Sequence, residues 1–111
     1  MNEDKFWGVI KEMNYTEKGY KGAAQYLIDE SGLTTDQMHE LENMVHKKVC
    51  ELYRRLRDVN GCRDDGFSDL CYQIVSNGKD AFETASVESA QEMVDNFEYT
   101  ESFAYTFNRL P

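Results

Sequence analysis

The sequence predicts an all-α fold: a compact single-domain helical bundle over residues 1–111, built around one long central helix at about residues 36–59. Apolar side chains recur at intervals of three and four residues, as they do along one face of a helix. Proline, which interrupts helices, occurs once among the 111 residues, at the final position. No segment alternates between apolar and polar residues for long enough to predict a strand. A chain of this length is typical of one domain.

The first helix is predicted to begin after Asn2, whose side chain can accept a hydrogen bond from the first turn. Glu3 and Asp4 follow, where carboxylates are favoured by the helix dipole. The apolar face of this helix consists of Phe6, Trp7, Ile10 and Met13. We expect Phe6 and Trp7 to anchor it on the long helix.

A loop is predicted over residues 14–19, and a second helix from about Tyr20 to Ser31. Gly32 then supplies a left-handed C-terminal stop. The apolar face of the second helix is formed by Tyr20, Ala23, Ala24, Leu27 and Ile28.

The long helix opens with Thr34 and Gln37 at the spacing of a capping box. Asn60 and Gly61 are predicted to end it. Its apolar stripe consists of Met38, Leu41, Val45, Val49, Leu52, Leu56 and Val59.

Ser68 or Asp65 is predicted to cap the next helix, which Asn77 and Gly78 end. Its apolar face consists of Phe67, Leu70, Cys71, Ile74 and Val75. Shorter helical segments are predicted over residues 80–85, 87–97 and 101–110.

Three segments of the chain resemble a known family. Residues 4–10 read DKFWGVI, residues 61–67 read GCRDDGF, and residues 74–85 read IVSNGKDAFETA. In that order, they resemble the D-x-F-W-x-x-I start, the G-x-S-D-D-G-F segment and the following W-L-I-x-x-G-x-x-x-(F/Y)-x-x-A segment of the bacterial domain of unknown function family 4240. Arg63 stands where that family commonly has serine. The resemblance implies a bacterial protein, and the family has no established activity to carry over.

The composition favours a cytoplasmic protein without a cofactor. The start of the chain has no long apolar run, so no signal peptide is expected. The longest apolar stretch anywhere in the chain is only a few residues, so no membrane span is expected. Without export, the three cysteines should be reduced thiols. Cys71 falls on an apolar face, which leaves Cys62 as the plausible reactive thiol. No phosphate-binding or nucleophile-elbow motif occurs, so an enzyme is the less favoured reading.

Negative charge is concentrated in the second half of the chain. The net charge is −9, and the stretch from Asp80 to Glu101 has seven acids and no base. Repulsion from phosphates argues against direct nucleic-acid binding. The acids either form a solvated face that keeps the chain soluble or an acidic surface for a basic partner. Glu88, Glu92 and Asp95 are the candidate contacts of such a surface.

Three further acids, Asp64, Asp65 and Asp69, lie at the predicted start of a helix. They either stabilise the helix N-terminus or hold a divalent metal or cationic ligand, with help from Asp58 or Asp80.

The basic residues cluster on the long helix at Lys47, Lys48, Arg54, Arg55 and Arg57. They form either a solvent face paired with Glu51 and Asp58, or a docking patch for an anion or for the acidic half of a second copy. His39 and His46 are seven residues apart, which does not suit one metal ion, and we expect them to face solvent or a partner.

The sequence therefore favours a non-enzymatic protein-interaction or inhibitor module, of the immunity, anti-defence or regulatory type. Its partner is expected to be a protein, with a basic protein and a homo-oligomer as the two alternatives. The alternative is a small enzyme or metal-binding domain that uses Asp64, Asp65 and Asp69.

Overall fold

Every regular element in the described part of the chain is a helix. The computed structural model describes residues 1–56, 64–95 and 103–111, with the backbone alone at 64, 65, 94 and 95. No residue in these ranges forms a strand, which confirms the all-α class. The elements are α1 (Glu3–Met13), α2 (Tyr15–Asp29), α3 (Thr35–Arg55), α4 (Asp64–Ser76), α5 (Lys79–Thr84), α6 (Val87–Asp95) and a 3-10 helix (Phe103–Arg109).

The junction between α1 and α2 differs from the prediction. The Asn2 side chain accepts a hydrogen bond from the Lys5 amide at 2.8 Å, as expected for the cap of α1. Asn14 has a left-handed backbone (φ 46°) that ends α1, and α2 begins at once at Tyr15. Gly19 then kinks α2 with φ 72° and ψ 179°, angles available almost exclusively to glycine. The predicted loop over residues 14–19 is therefore wrong: it is one helical turn followed by a kink.

The end of α2 is close to the prediction. The helix ends at Asp29, and Gly32 is left-handed (φ 72°), as predicted. Ser31 donates to the Leu27 carbonyl at 2.6 Å and so satisfies a carbonyl of the last turn. Ile28 was predicted on the buried face but is 45% exposed, because it lies at the edge of the stripe formed by the buried Ala24 and Leu27.

Helix α3 is the longest described element, with 21 residues. Both bonds of its capping box are present, since the Gln37 amide donates to Thr34 Oγ1 and the Thr34 amide to Gln37 Oε1. It ends at Arg55 with Leu56 as its C-cap, short of the predicted end at about residue 59, and residues 57–61 lie outside the described residues. The stripe residues that the structure describes are all buried: Met38, Leu41, Val45, Val49, Leu52 and Leu56. A central position for α3 stays a prediction, because the main helix contacts do not all involve α3. The pairs with the most contacts are α2 with the 3-10 helix, α3 with α4, and α1 with α2.

Helix α4 begins earlier than predicted. It starts at Asp64, so Asp65 and Ser68 lie within the helix and neither is its cap. The residue before it, Arg63, lies outside the described residues. The predicted apolar face is correct, because Phe67, Leu70, Cys71, Ile74 and Val75 are all buried.

The C-terminal elements are short. Helix α5 starts at Lys79, and α6 is capped reciprocally: the Ser89 amide donates to Ser86 Oγ at 3.2 Å and the Ser86 amide to Ser89 Oγ at 2.9 Å. The last element is a 3-10 helix, in place of the helix predicted over residues 101–110. Residues 101 and 102 of that predicted helix lie outside the described residues. Residues 96 and 97, the predicted end of the helix over residues 87–97, also lie outside them.

One hydrophobic cluster joins all the described helices. Phe6 and Ile10 of α1, Leu27 of α2, Leu41 of α3 and Phe103 of the 3-10 helix are at most 1% exposed. The radius of gyration of 13.5 Å is close to the roughly 13 Å expected of a folded chain of this size. The single domain over residues 1–111 stays a prediction. Within the described residues, no helix combines the length and apolar character that crossing a bilayer requires.

Candidate functional site

The predicted acidic cluster lies on the first turns of α4. Asp64 and Asp65 are its first two residues, and Asp69, one turn after Asp65, is partly buried. The side chains of Asp64 and Asp65 lie outside the described structure. Among the described side chains, no group of three or more His, Cys, Asp and Glu residues could hold a metal ion. The metal site therefore stays a prediction of the sequence.

The predicted acidic surface lies on α5 and α6. Asp80 and Glu83 of α5 are exposed, as are Glu88 and Glu92, which lie one turn apart on α6. Asp95 is the last residue of α6, and its side chain is not described. The other side of α6 faces the core through the buried Ala90 and the partly buried Val87 and Met93. We call Asp80, Glu83, Glu88 and Glu92 the acidic face.

Lys48 of the basic cluster is directed into the fold. Its ammonium lies 2.8 Å from Glu3 Oε1 of α1, and its side chain is 14% exposed. It also lies 5.2 Å from the centre of the Phe82 ring and 5.9 Å from that of Trp7. Pairing of the cluster with Glu51 and Asp58 at one-turn spacing was one of its two predicted roles. That prediction is wrong for Lys48, because its bond is to a carboxylate on another helix.

Arg55 contacts the same phenylalanine. Its Nη2 donates to the Phe82 carbonyl at 2.7 Å, and its guanidinium carbon lies 5.1 Å from the ring centre. Trp7 packs on Phe82 with the ring centres 5.5 Å apart. We call Glu3, Trp7, Lys48, Arg55 and Phe82 the Phe82 junction, since it fastens α5 onto α1 and α3.

The Phe82 junction also shifts the titration of an acid. Lys48 donates a hydrogen bond to Glu3, and together with its positive charge this holds the pKa of the Glu3 carboxyl below its ordinary value. Trp7 Nε1 donates a second hydrogen bond to Glu3 at 3.2 Å. Trp7 was predicted to anchor α1 on α3. It contacts α3 through the Lys48 ammonium, and its ring packs against Phe82 of α5.

A cleft of about 340 Å³ lies between α3, α4 and the 3-10 helix. Glu42, His46 and Tyr72 line it, and His46 Nε2 is 3.7 Å from Cys50 Sγ. Burial raises the pKa of the Tyr72 hydroxyl, and the nearby Cys50, Glu42 and Asp69 raise it further. The His46–Cys50 pair was missed in the sequence, although its spacing of four residues on a predicted helix is enough to find it.

The two histidines and the predicted reactive thiol have different outcomes. His39 and His46 are both exposed, in agreement with the prediction that they face solvent or a partner. Cys62 lies outside the described residues, and Cys71 is buried as predicted.

A larger cleft, of about 580 Å³, opens where α1 and α2 meet the α4–α5 connection. Its lining includes Trp7, Gly8, Lys11, Asn77 and Lys79. Thr16 Oγ1 donates to Asn77 Oδ1 at 3.2 Å and joins two of its sides. The sequence did not reveal this cleft, because the two residues of that bond are 61 positions apart.

The chain was compared with family models, curated proteins and solved structures, and none of them matches it. The resemblance to family 4240 therefore stays a prediction.

Proposed function

We propose that this protein is a non-enzymatic interaction module that inhibits or regulates a basic protein through the acidic face. The observation that carries the proposal is the exposure of Asp80, Glu83, Glu88 and Glu92 on two consecutive helices. The sequence places no base among them from Asp80 to Glu101.

The contacts of two basic residues, Lys48 and Arg55, support this assignment. Lys48 and Arg55 bind Glu3 and the Phe82 backbone, so their charges contribute to the fold. On the acidic face, Lys79 approaches Glu83 at 3.9 Å, with both side chains more than half exposed. Exposed pairs of this kind contribute about 0–1 kcal/mol. Lys79 therefore compensates the charge of Glu83 only weakly.

An exposed surface of one sign acts mainly on the rate of association. It attracts a partner of opposite charge over distances of about 8–10 Å at physiological salt. Replacing Glu88 and Glu92 by glutamine removes two charges while it keeps size and helix propensity. The fold should remain intact in this variant because neither side chain is buried.

The test compares the wild type with two variant baits of equal net charge in lysate from the source cells. One is Glu88→Gln with Glu92→Gln. The matched control is Glu12→Gln with Glu30→Gln, which removes two exposed acids from α1 and from the end of α2. A basic protein should be retained by the wild type and the control, and depleted on the first variant. Equal retention on all three baits, or an acidic retained protein, contradicts the proposal.

A further inference from the structure

We infer that the 580 Å³ cleft at Trp7 and Gly8 binds a small hydroxylated anion, with a phosphate or carboxylate group on a polyol body. This binding site takes an anion rather than a basic protein, although Asp80 belongs both to its lining and to the acidic face. Its volume lies within the range of about 300–1,000 Å³ that is typical of small-molecule sites.

Gly8 is the first observation that points to a ligand. It lies inside α1 without a positive φ, so the backbone there does not require glycine. A Cβ built on Gly8 has no atom within 4 Å, so packing does not require glycine either. Glycine within a helix costs about 0.5–1 kcal/mol relative to alanine. The fold thus gives no reason for Gly8, whereas an open cleft does, because any side chain there takes up part of its volume.

The charges of the cleft are the second observation. Lys11 and Lys79 both line it, although the chain as a whole carries a net charge of −9. No ion pair of Lys11 is found among the described residues, and Lys79 has the distant contact with Glu83 at 3.9 Å. Two ammonium groups at one cleft favour an anionic group.

The remaining polar groups favour hydroxyls on the rest of the ligand. Asp80 lines the cleft and is exposed, and its carboxylate can accept hydrogen bonds from hydroxyl groups. Thr16 uses the Asn77 carbonyl oxygen, which leaves the Asn77 amide nitrogen available to donate. Lysines for the anion with Asp80 and Asn77 for hydroxyls match a sugar phosphate or a sugar acid.

Trp7 provides a direct reading of binding. It is the one tryptophan in the chain and it lines the cleft, so its fluorescence reports a ligand there. The probes are glucose 6-phosphate, glycerol 3-phosphate and gluconate, with glucose, glycerol and inorganic phosphate as partial probes. At least one of the hydroxylated anions should change Trp7 emission saturably, and more tightly than each partial probe by about tenfold.

Matched variants locate the site. Gly8→Gln places a side chain in the cleft and should weaken binding of the best probe at least about tenfold. Gly66→Gln is the control, since Gly66 also lies in a helix, is exposed and has open space around its Cβ, but does not line the cleft. It should bind as the wild type does. Both variants should melt no lower than the wild type, which separates loss of binding from loss of the fold.

Four results overturn the inference. The first three are the absence of a saturable signal for all three hydroxylated anions, equal binding of a partial probe, and wild-type affinity in Gly8→Gln. The fourth is full affinity in a Lys11→Gln, Lys79→Gln double variant, because the two ammonium groups are then not the anion site.

Discussion

The two sides of α5 use charge in opposite ways. On one side, the ring and carbonyl of Phe82 lie against Lys48 and Arg55, and the cations bind within the fold. On the other, Asp80 and Glu83 are exposed and continue into the acids of α6. Helix α5 thus receives two cations of α3 at Phe82 and presents its own acids to solvent.

The two groups of charges are therefore expected to have different roles, one in stability and the other in association. A charge that is fixed between helices should affect stability when it is removed. An exposed charge should leave stability nearly unchanged and alter association instead. Substitutions on the two sides of α5 should therefore have effects that do not overlap.

Trp7→Ala should destabilise the Phe82 side of α5 more than any other substitution considered. Trp7 is 8% exposed and packs on Phe6 and Phe82, so the variant loses a large buried ring and its contacts. We expect a loss of about 3–5 kcal/mol in the free energy of unfolding, measured with chemical denaturant. Ile28→Ala is the control, because Ile28 is 45% exposed and should lose less than about 1 kcal/mol. Similar losses in the two variants would contradict the packing described for α1.

Lys48→Met should weaken the Phe82 junction more moderately. The variant keeps the apolar stem but loses the bond to Glu3 and the contact of the cation with two rings. We expect a loss of about 1–2 kcal/mol in the free energy of unfolding. Lys47→Met is the matched control, because Lys47 directly precedes Lys48 and is exposed. It should change the free energy of unfolding by less than about 0.5 kcal/mol. If the two variants unfold alike, the charge of Lys48 does not hold the junction.

The titration of Glu3 gives a smaller effect with a defined sign. Because its pKa in the folded protein lies below the ordinary 4.5, its contribution to stability is present above that pH. The contribution is lost as the pH falls through the folded-state pKa, since the protonated acid no longer pairs with Lys48. Glu3 is 60% exposed, so the loss should be small. NMR titration should show the Glu3 pKa rising in Lys48→Met, and an unchanged pKa would contradict the pairing.

The local features of the fold could be predicted from the sequence, and the contacts between distant segments could not. The capping box at Thr34 and Gln37 and the buried stripe of α3 depend on neighbours within one or two turns. The hydrogen bond of Arg55, by contrast, is to the carbonyl of Phe82, which lies 27 residues later. One-turn spacing suggested partners on the same helix, while the described structure supplies Glu3 of α1 for Lys48 and Phe82 of α5 for Arg55.

The turn between α1 and α2 shows a second limit. Asn14 and Gly19 both signal a break, and the segment between them was predicted as a loop. Helix α2 instead begins directly after Asn14, because the left-handed residue redirects the chain without extra residues. The two clefts were beyond prediction for the same reason as the junction, since each is built from several helices.

Replacing Glu88 and Glu92 by glutamine should have the smallest effect on stability. Both are exposed on α6, so the free energy of unfolding should change by less than about 0.5 kcal/mol. Thermal or denaturant unfolding measures this directly. A loss comparable with that of Lys48→Met would mean that the acids support the fold, and would remove the distinction between the two sides of α5.

The most direct test of the acidic face is the association rate with the captured basic partner, measured by stopped-flow or surface plasmon resonance at several salt concentrations. Rising salt should slow association far more than it speeds dissociation. Glu88→Gln with Glu92→Gln should associate slowly even at low salt, while Glu12→Gln with Glu30→Gln should behave as the wild type. An association rate that is indifferent to both salt and the Glu88 and Glu92 substitutions would contradict the proposal, and the acidic face would then serve solubility alone.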